Sequence, residues 1–278
     1  MDKSDDVIRL DSGGSMGEVI SLHGLDIALP KVPKKSDILF HDLPKKLQMW
    51  KRTDVPQELS RVRSMDEWFE KPAEFRRSFS PYIEQEFERR RNGVWFYNNG
   101  VPTYITGRHY MFLQWSKIDI GYPSYLAFQR EIFLHMAACE ADPRCIGQLY
   151  TKCRRSGYTN ICSSVLVDEA TQVKDKLLGI QSKTGKDAQE NIFMKKVVFM
   201  FRSYPFFFKP IQDGTTNPRM ELAFREPSKK GEALNTVINW KNTTNNAYDG
   251  EKLHIMYLDE AGKWEKPTDI RDAWRIQR

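Results

Sequence analysis

Apolar positions recur along this chain with two periods, near 3.6 in some stretches and 2 in others, and the switches between them mark the elements. The stretch "PSYLAFQREIFLHMAACEAD", Pro123 to Asp142, puts Leu126, Phe133, Leu134 and Ala137 on one helical face and stops at Pro143. Directly after it, "CIGQLY" reads as a short apolar strand, Cys145 to Tyr150. "NICSSVLVDEATQVKD" predicts a helix that turns Ile161, Val165, Leu166 and Val173 inward, and "LLGIQS", Leu177 to Ser182, predicts a second strand. "DAQENIFMKKVVFMFRSY" predicts a helix stopped by Pro205, "MELAFRE" and "TVINWK" predict strands, and "KLHIMYLDEA" predicts a buried strand that ends in two acids. Strands and helices in alternation imply an α/β fold around a mostly parallel sheet. No internal repeat is visible.

The first part of the chain is patterned differently. Residues 1 to 45 are polar and broken by Gly13, Gly14, Pro30, Pro33 and Pro44, which predicts a poorly ordered arm with one local strand near Ile20 to Leu29. Ser64, followed three positions later by Glu67, forms a capping box and starts a helix. Arg89, Arg90 and Arg91 fall at a helix end, where they suit the negative pole of the helix dipole, with a DNA phosphate contact as the functional alternative. Asn99 and Gly100 lie between aromatic and β-branched runs and predict a hairpin. The pattern divides the chain into a flexible arm at 1–45, a helical and hairpin subdomain at 46–122 and an α/β core at 123–278.

Composition changes this picture little. With 278 residues, 40% hydrophobic and 29% charged, the chain has the make-up of an ordinary globular protein of one large or two small domains. A net charge of +6 permits a nucleic-acid partner without requiring one. Cys139, Cys145, Cys153 and Cys162 are spaced too irregularly for a zinc site and are too few for a disulfide scaffold, so reduced thiols are expected. No apolar run approaches the roughly 18 residues that span a bilayer, and the acidic start MDKSDD is unlike a signal peptide. An intracellular protein with no membrane partner is the expectation.

The chemistry concentrates in "TKCRRSGYT" and "HIMYLDEAGKW". A phosphate-binding loop needs a glycine turn, a cation and a hydroxyl that faces Mg2+. Gly157 and Thr159 supply the turn and the hydroxyl, but Tyr158 stands where the usual lysine would be. Lys152, Arg154 and Arg155 are the stand-ins for that charge. The second stretch delivers Asp259 and Glu260 at the carboxyl end of a strand, where ligands sit in open α/β sheets. Asp259 suits the Mg2+ shell and Glu260 the polarisation of water. A decoy, Gly185-Lys186 in "SKTGKDAQ", has Asp187 where a hydroxyl is required.

This constellation resembles the large subunits of tailed-phage terminases, the ATP-driven motors that package DNA into capsids. In some of them the loop reads lysine, two variable residues, arginine, one variable residue, then Gly-Tyr-Ser, a form that Lys152 to Thr159 fits with Thr replacing Ser. The resemblance makes Lys152 the displaced phosphate lysine and Arg155 the arginine at the γ-phosphate, with Arg154, Ser156, Gly157 and Tyr158 completing the loop. It also nominates Gln129, in "YLAFQREIF", as the reader of adenine. "YITGRHYMFLQW" is similar to a segment that precedes the motor core in some terminases, and His109 within it is given a packing or hydrogen-bonding role.

The resemblance covers roughly residues 95 to 278. It implies an α/β P-loop NTPase of the additional-strand, catalytic-glutamate type, preceded by a mainly helical segment. ATP and Mg2+ are the implied cofactors. Double-stranded DNA, the portal protein, the small terminase subunit and further copies in a ring are the implied partners. The implied location is the cytoplasm of the infected bacterial host rather than the mature virion. Family members continue past the DE strand into a coupling strand and a nuclease domain, whereas this sequence stops at Arg278. The expectation is therefore the front part of a longer or split protein, with an incomplete sheet and no nuclease activity. Two rivals stay open, a stand-alone helicase-like ATPase and a nucleotide-binding module that does not hydrolyse.

Overall fold

The computed structural model describes residues 19–22, 25–28, 38–39, 43–119, 121–215, 217–226 and 233–264. The rest of the predicted arm lies outside the described residues. In the described part of the arm β1 (Val19–Leu22) and β2 (Leu25–Ala28) pair as an antiparallel hairpin, where the sequence predicts a single strand. The chain divides into two compact units, one of Met1–Arg61, Trp68–Gln114 and Pro123–Cys153, the other of Val62–Glu67, Trp115–Tyr122 and Arg154–Arg278.

In the first unit a three-stranded sheet joins β3 (Ile38–Leu39), β4 (Val94–Asn98) and β5 (Val101–Ile105). β3 runs parallel to β4, and β4 runs antiparallel to β5. The predicted hairpin is present: Asn98 pairs with Val101, and both turn residues have positive φ, 50° at Asn99 and 87° at Gly100. That is the two-residue turn whose twist matches paired strands. The helices that accompany this sheet are α1 (Gln57–Ser60), α2 (Met65–Glu70, which begins in the other unit), α3 (Ala73–Asn92), α4 (Gly107–Gln114) and α5 (Ala127–Ala141). The Glu67 N–H donates to Ser64 Oγ at 3.1 Å, so the predicted cap starts α2. α5 lays Leu134 and Ala138 on Trp95, Tyr97 and Tyr104 of the sheet. Leu126, expected on the same inner face, is 43% exposed, because it precedes the helix in extended conformation.

α3 and α4 are tied by a buried polar network. The Glu86 carboxylate, fully buried, accepts from Arg89 Nη1 and from the Tyr110 hydroxyl, each at 2.6 Å. Arg90 is buried as well, which leaves Arg91 as the exposed member of the arginine run. His109 is also fully buried, stacked on Phe133 with ring centroids 4.5 Å apart and lying 5.8 Å from Tyr125. Neither of its ring nitrogens has a hydrogen-bond partner among the described residues. Burial, with the Arg130 cation adding to it, lowers its pKa to about 3.

The second unit carries a four-stranded sheet in the order β7, β8, β6, β9, formed by β6 (Leu177–Gln181), β7 (Glu221–Phe224), β8 (Thr236–Trp240) and β9 (Leu253–Leu258). β6 is parallel to both β8 and β9, and β7 is antiparallel to β8. Each parallel return passes through intervening chain, as the alternating pattern requires. α6 (Tyr158–Ala170) packs against β8 and against a π-helical run, Asp187–Val198, which continues as α7 (Phe199–Ser203) up to Pro205. Ile161, Val165 and Leu166 of α6 are buried as expected, while Val173 lies beyond the helix end and is half-buried.

Two strand expectations are corrected. "CIGQLY" is not a strand: no described strand pairs with it, and Ile146 and Leu149 are 60% and 89% exposed. An extended segment with no neighbour to take its N–H and C=O groups gains nothing over solvated coil. The DE strand, β9, is present but stands at the sheet edge and is mostly half-buried, because its outer side has no partner among the described residues.

Two stability predictions follow from the first unit. A Cβ at Gly107 would lie 1.9 Å from the Arg90 carbonyl oxygen, so Gly107→Ala should lose about 1–3 kcal/mol in urea unfolding. Gly262→Ala, where nothing lies within 4 Å, is the matched control and should be close to neutral. His109 has a folded pKa below its unfolded value, so the unfolded chain binds the extra proton between pH 6.5 and about 3. Stability should therefore fall on acidification through that window, by about 1.4 kcal/mol per pH unit below 6, and His109→Phe should flatten the slope.

Candidate functional site

The loop that enters α6 is wound by two left-handed residues, Arg155 with φ 66° and Gly157 with φ 76°. Gly157 is the helix cap, and its missing side chain leaves the first turn of α6 without a side-chain cap. Uncapped N–H groups at a helix N-terminus, with the positive end of its dipole, favour an anion. Helix and turn thus begin where the glycine predicts. Arg154 and Arg155 are exposed, and Ser156, Gly157, Tyr158 and Thr159 are half-buried.

β9 brings the acids to the same place. The Asp259 N–H donates to the Gln181 carbonyl at 2.9 Å, which carries the β6 and β9 pairing one residue past the strand. Asp259 is 8% exposed, and its Oδ1 lies 3.5 Å from the Thr159 hydroxyl, which donates to it. A second donor reaches the same oxygen: the Tyr257 hydroxyl, at 2.6 Å. Burial pushes the Tyr257 phenol well above its ordinary range, with the Cys162 thiol and the Asp259 carboxylate acting in the same direction, so the hydroxyl stays protonated and donates. Glu260 is exposed and left-handed, φ 49° and ψ 33°, a conformation uncommon for a residue with a side chain. Its carboxylate pairs with Lys263 Nζ at 2.5 Å.

The structure therefore joins Thr159 to Asp259, with Glu260 next in the chain. Gln129 and Lys152 belong to the first unit. Gln129 is buried in the first turn of α5, and Lys152 is exposed in the chain that leads to Cys153. The decoy glycine has a packing reason, since a Cβ at Gly185 would lie 2.0 Å from Asn242 Oδ1. Tyr257 is the site residue that the sequence reading missed. Its signal was available, because residues two apart on a strand share a face.

Mg2+ prefers oxygen ligands and is held in nucleotide sites by one or two protein groups together with substrate phosphates. Thr159 and Asp259 supply a hydroxyl and a carboxylate at compatible separation. No group of three or more His, Cys, Asp or Glu suited to a metal occurs among the described residues. No described helix is long and apolar enough to cross a membrane. No protein-family model matches the chain, and no curated protein matches it either.

Proposed function

We propose that this chain is the ATP-hydrolysing motor domain of a phage terminase large subunit, which drives double-stranded DNA into a procapsid. The observation that carries the reading is the meeting of Thr159, at the uncapped start of α6, with Asp259, at the end of a parallel strand. A hydroxyl from the phosphate loop and a strand-end aspartate are the pair that holds Mg2+ in P-loop NTPases. Bound MgATP would supply the phosphoanhydride bond and the charge neutralisation at its β- and γ-phosphates. Thr159 and Asp259 would hold the metal, Lys152, Arg154 and Arg155 the phosphates, and Gln129 the adenine. Glu260 would orient the attacking water, and its exposure beside Asp259 suits that task. The portal protein, the small subunit and a ring of copies enter through the resemblance, as does the location in the host cytoplasm.

The second reading is a nucleotide-binding module that does not hydrolyse. It is favoured by residues 145–150, which form no strand ahead of the loop. Steady-state ATP turnover in the presence of DNA and portal separates the two. In the motor reading, Glu260→Gln should keep ATP binding and lose about 10²–10⁴-fold in rate. Lys152→Ala should weaken binding as well, and unchanged affinity and turnover would remove that residue from the site. Wild-type protein that binds ATP without turning it over would favour the second reading, and absence of ATP binding would end both.

A further inference from the structure

Strand alternation, carried one residue past β9 by the Asp259–Gln181 hydrogen bond, puts Tyr257 and Asp259 on one face. The first turns of α6 meet that face, since Thr159 and Cys162 both act on the Tyr257 hydroxyl. Three oxygens from two elements are thereby gathered: Tyr257 Oη and Thr159 Oγ1 both approach Asp259 Oδ1, at 2.6 and 3.5 Å. Oδ2 of the same carboxylate receives no protein donor among the described residues. A carboxylate with one oxygen pinned and the other open is oriented for a ligand rather than consumed by the fold. A buried tyrosine needs a partner in any case, and backbone carbonyls commonly serve. Here the acceptor is the carboxylate that also accepts from the loop hydroxyl of Thr159, and the hydrogen bond is charge-assisted and short.

We propose that Tyr257 is a positioning residue for a divalent cation at this site: its hydroxyl fixes Asp259 Oδ1 beside Thr159 and leaves Oδ2 to the metal. The inference rests on the nucleotide-site reading above. Tyr257→Phe keeps the ring and removes only the donor.

The probe is Mn2+, titrated by electron paramagnetic resonance against the full chain in the presence of a non-hydrolysable ATP analogue. Nucleotide affinity in EDTA and thermal unfolding are measured in parallel. Wild type should bind Mn2+ with the nucleotide, Asp259→Asn should lose most of that affinity, and Tyr257→Phe should lose roughly tenfold, the scale of one hydrogen bond. Nucleotide affinity in EDTA should be the same in wild type and Tyr257→Phe, which a general structural defect would not allow. Tyr257→His, whose shorter ring stops short of Oδ1, is the second variant and should lose Mn2+ affinity in the same way. Wild-type Mn2+ affinity in either folded Tyr257 variant, with Asp259→Asn defective, overturns this inference and leaves the nucleotide site standing. If wild type binds no Mn2+ with nucleotide, or Asp259→Asn binds it equally, the site reading itself fails.

Discussion

The pairing of β9 with β6 is the constraint on which the site depends. Its last bond, from the Asp259 N–H to the Gln181 carbonyl, fixes where the carboxylate leaves the sheet. A register slip of one residue would turn Tyr257 and Asp259 to the opposite face, away from α6. The loop side is fixed just as locally, by Gly157, whose left-handed backbone lets the chain turn into the helix and aim Thr159 at the strand. Two short sequence features, far apart in the chain, thus meet through one ladder of parallel hydrogen bonds and one helix start.

Backbone strain gathers at the same place. Arg155 and Glu260 are two of the five described non-glycine residues with positive φ, and they flank the joined pair in sequence on either side of the site. Such conformations persist where surrounding structure holds them and are enriched at ligand sites. Glu260 is held by Lys263 and by the turn that follows, in which the Lys263 N–H donates to the Glu260 carbonyl at 2.7 Å. The ordinary alternative is a tight turn that a charged residue tolerates.

Much of the fold was legible because its signals are local. Asn99-Gly100 encodes its own turn, Ser64 and Glu67 encode a helix start, and Gly157 marks the first residue before α6. Strands β6 to β9 are apolar runs bounded by polar chain, and the parallel pairing of β6 with β8 and β9 follows from the long segments between them. What failed was non-local. "CIGQLY" has the composition of a strand, but a strand exists only with a neighbour, and no neighbour for it is written inside the six residues. Whether β9 is central or at an edge is likewise decided by strands elsewhere. Thr159 and Asp259 stand out in the sequence and lie together in the structure, whereas Tyr257 read as one more apolar position in a strand until its hydroxyl was seen against a carboxylate.

The edge position of β9 gives its flanking charges a second meaning. Between Leu253 and Leu258 the strand holds no proline and no lysine, the usual devices that keep an open edge from recruiting another chain. Among the described residues the charges that border it are Lys252 at one end and Asp259 and Glu260 at the other, and charges in flanking positions disfavour pairing with another chain. Lys252 and Glu260 are exposed whereas Asp259 is buried, so a variant that neutralises Glu260 removes a solvent-facing charge at the strand end together with a proposed site residue.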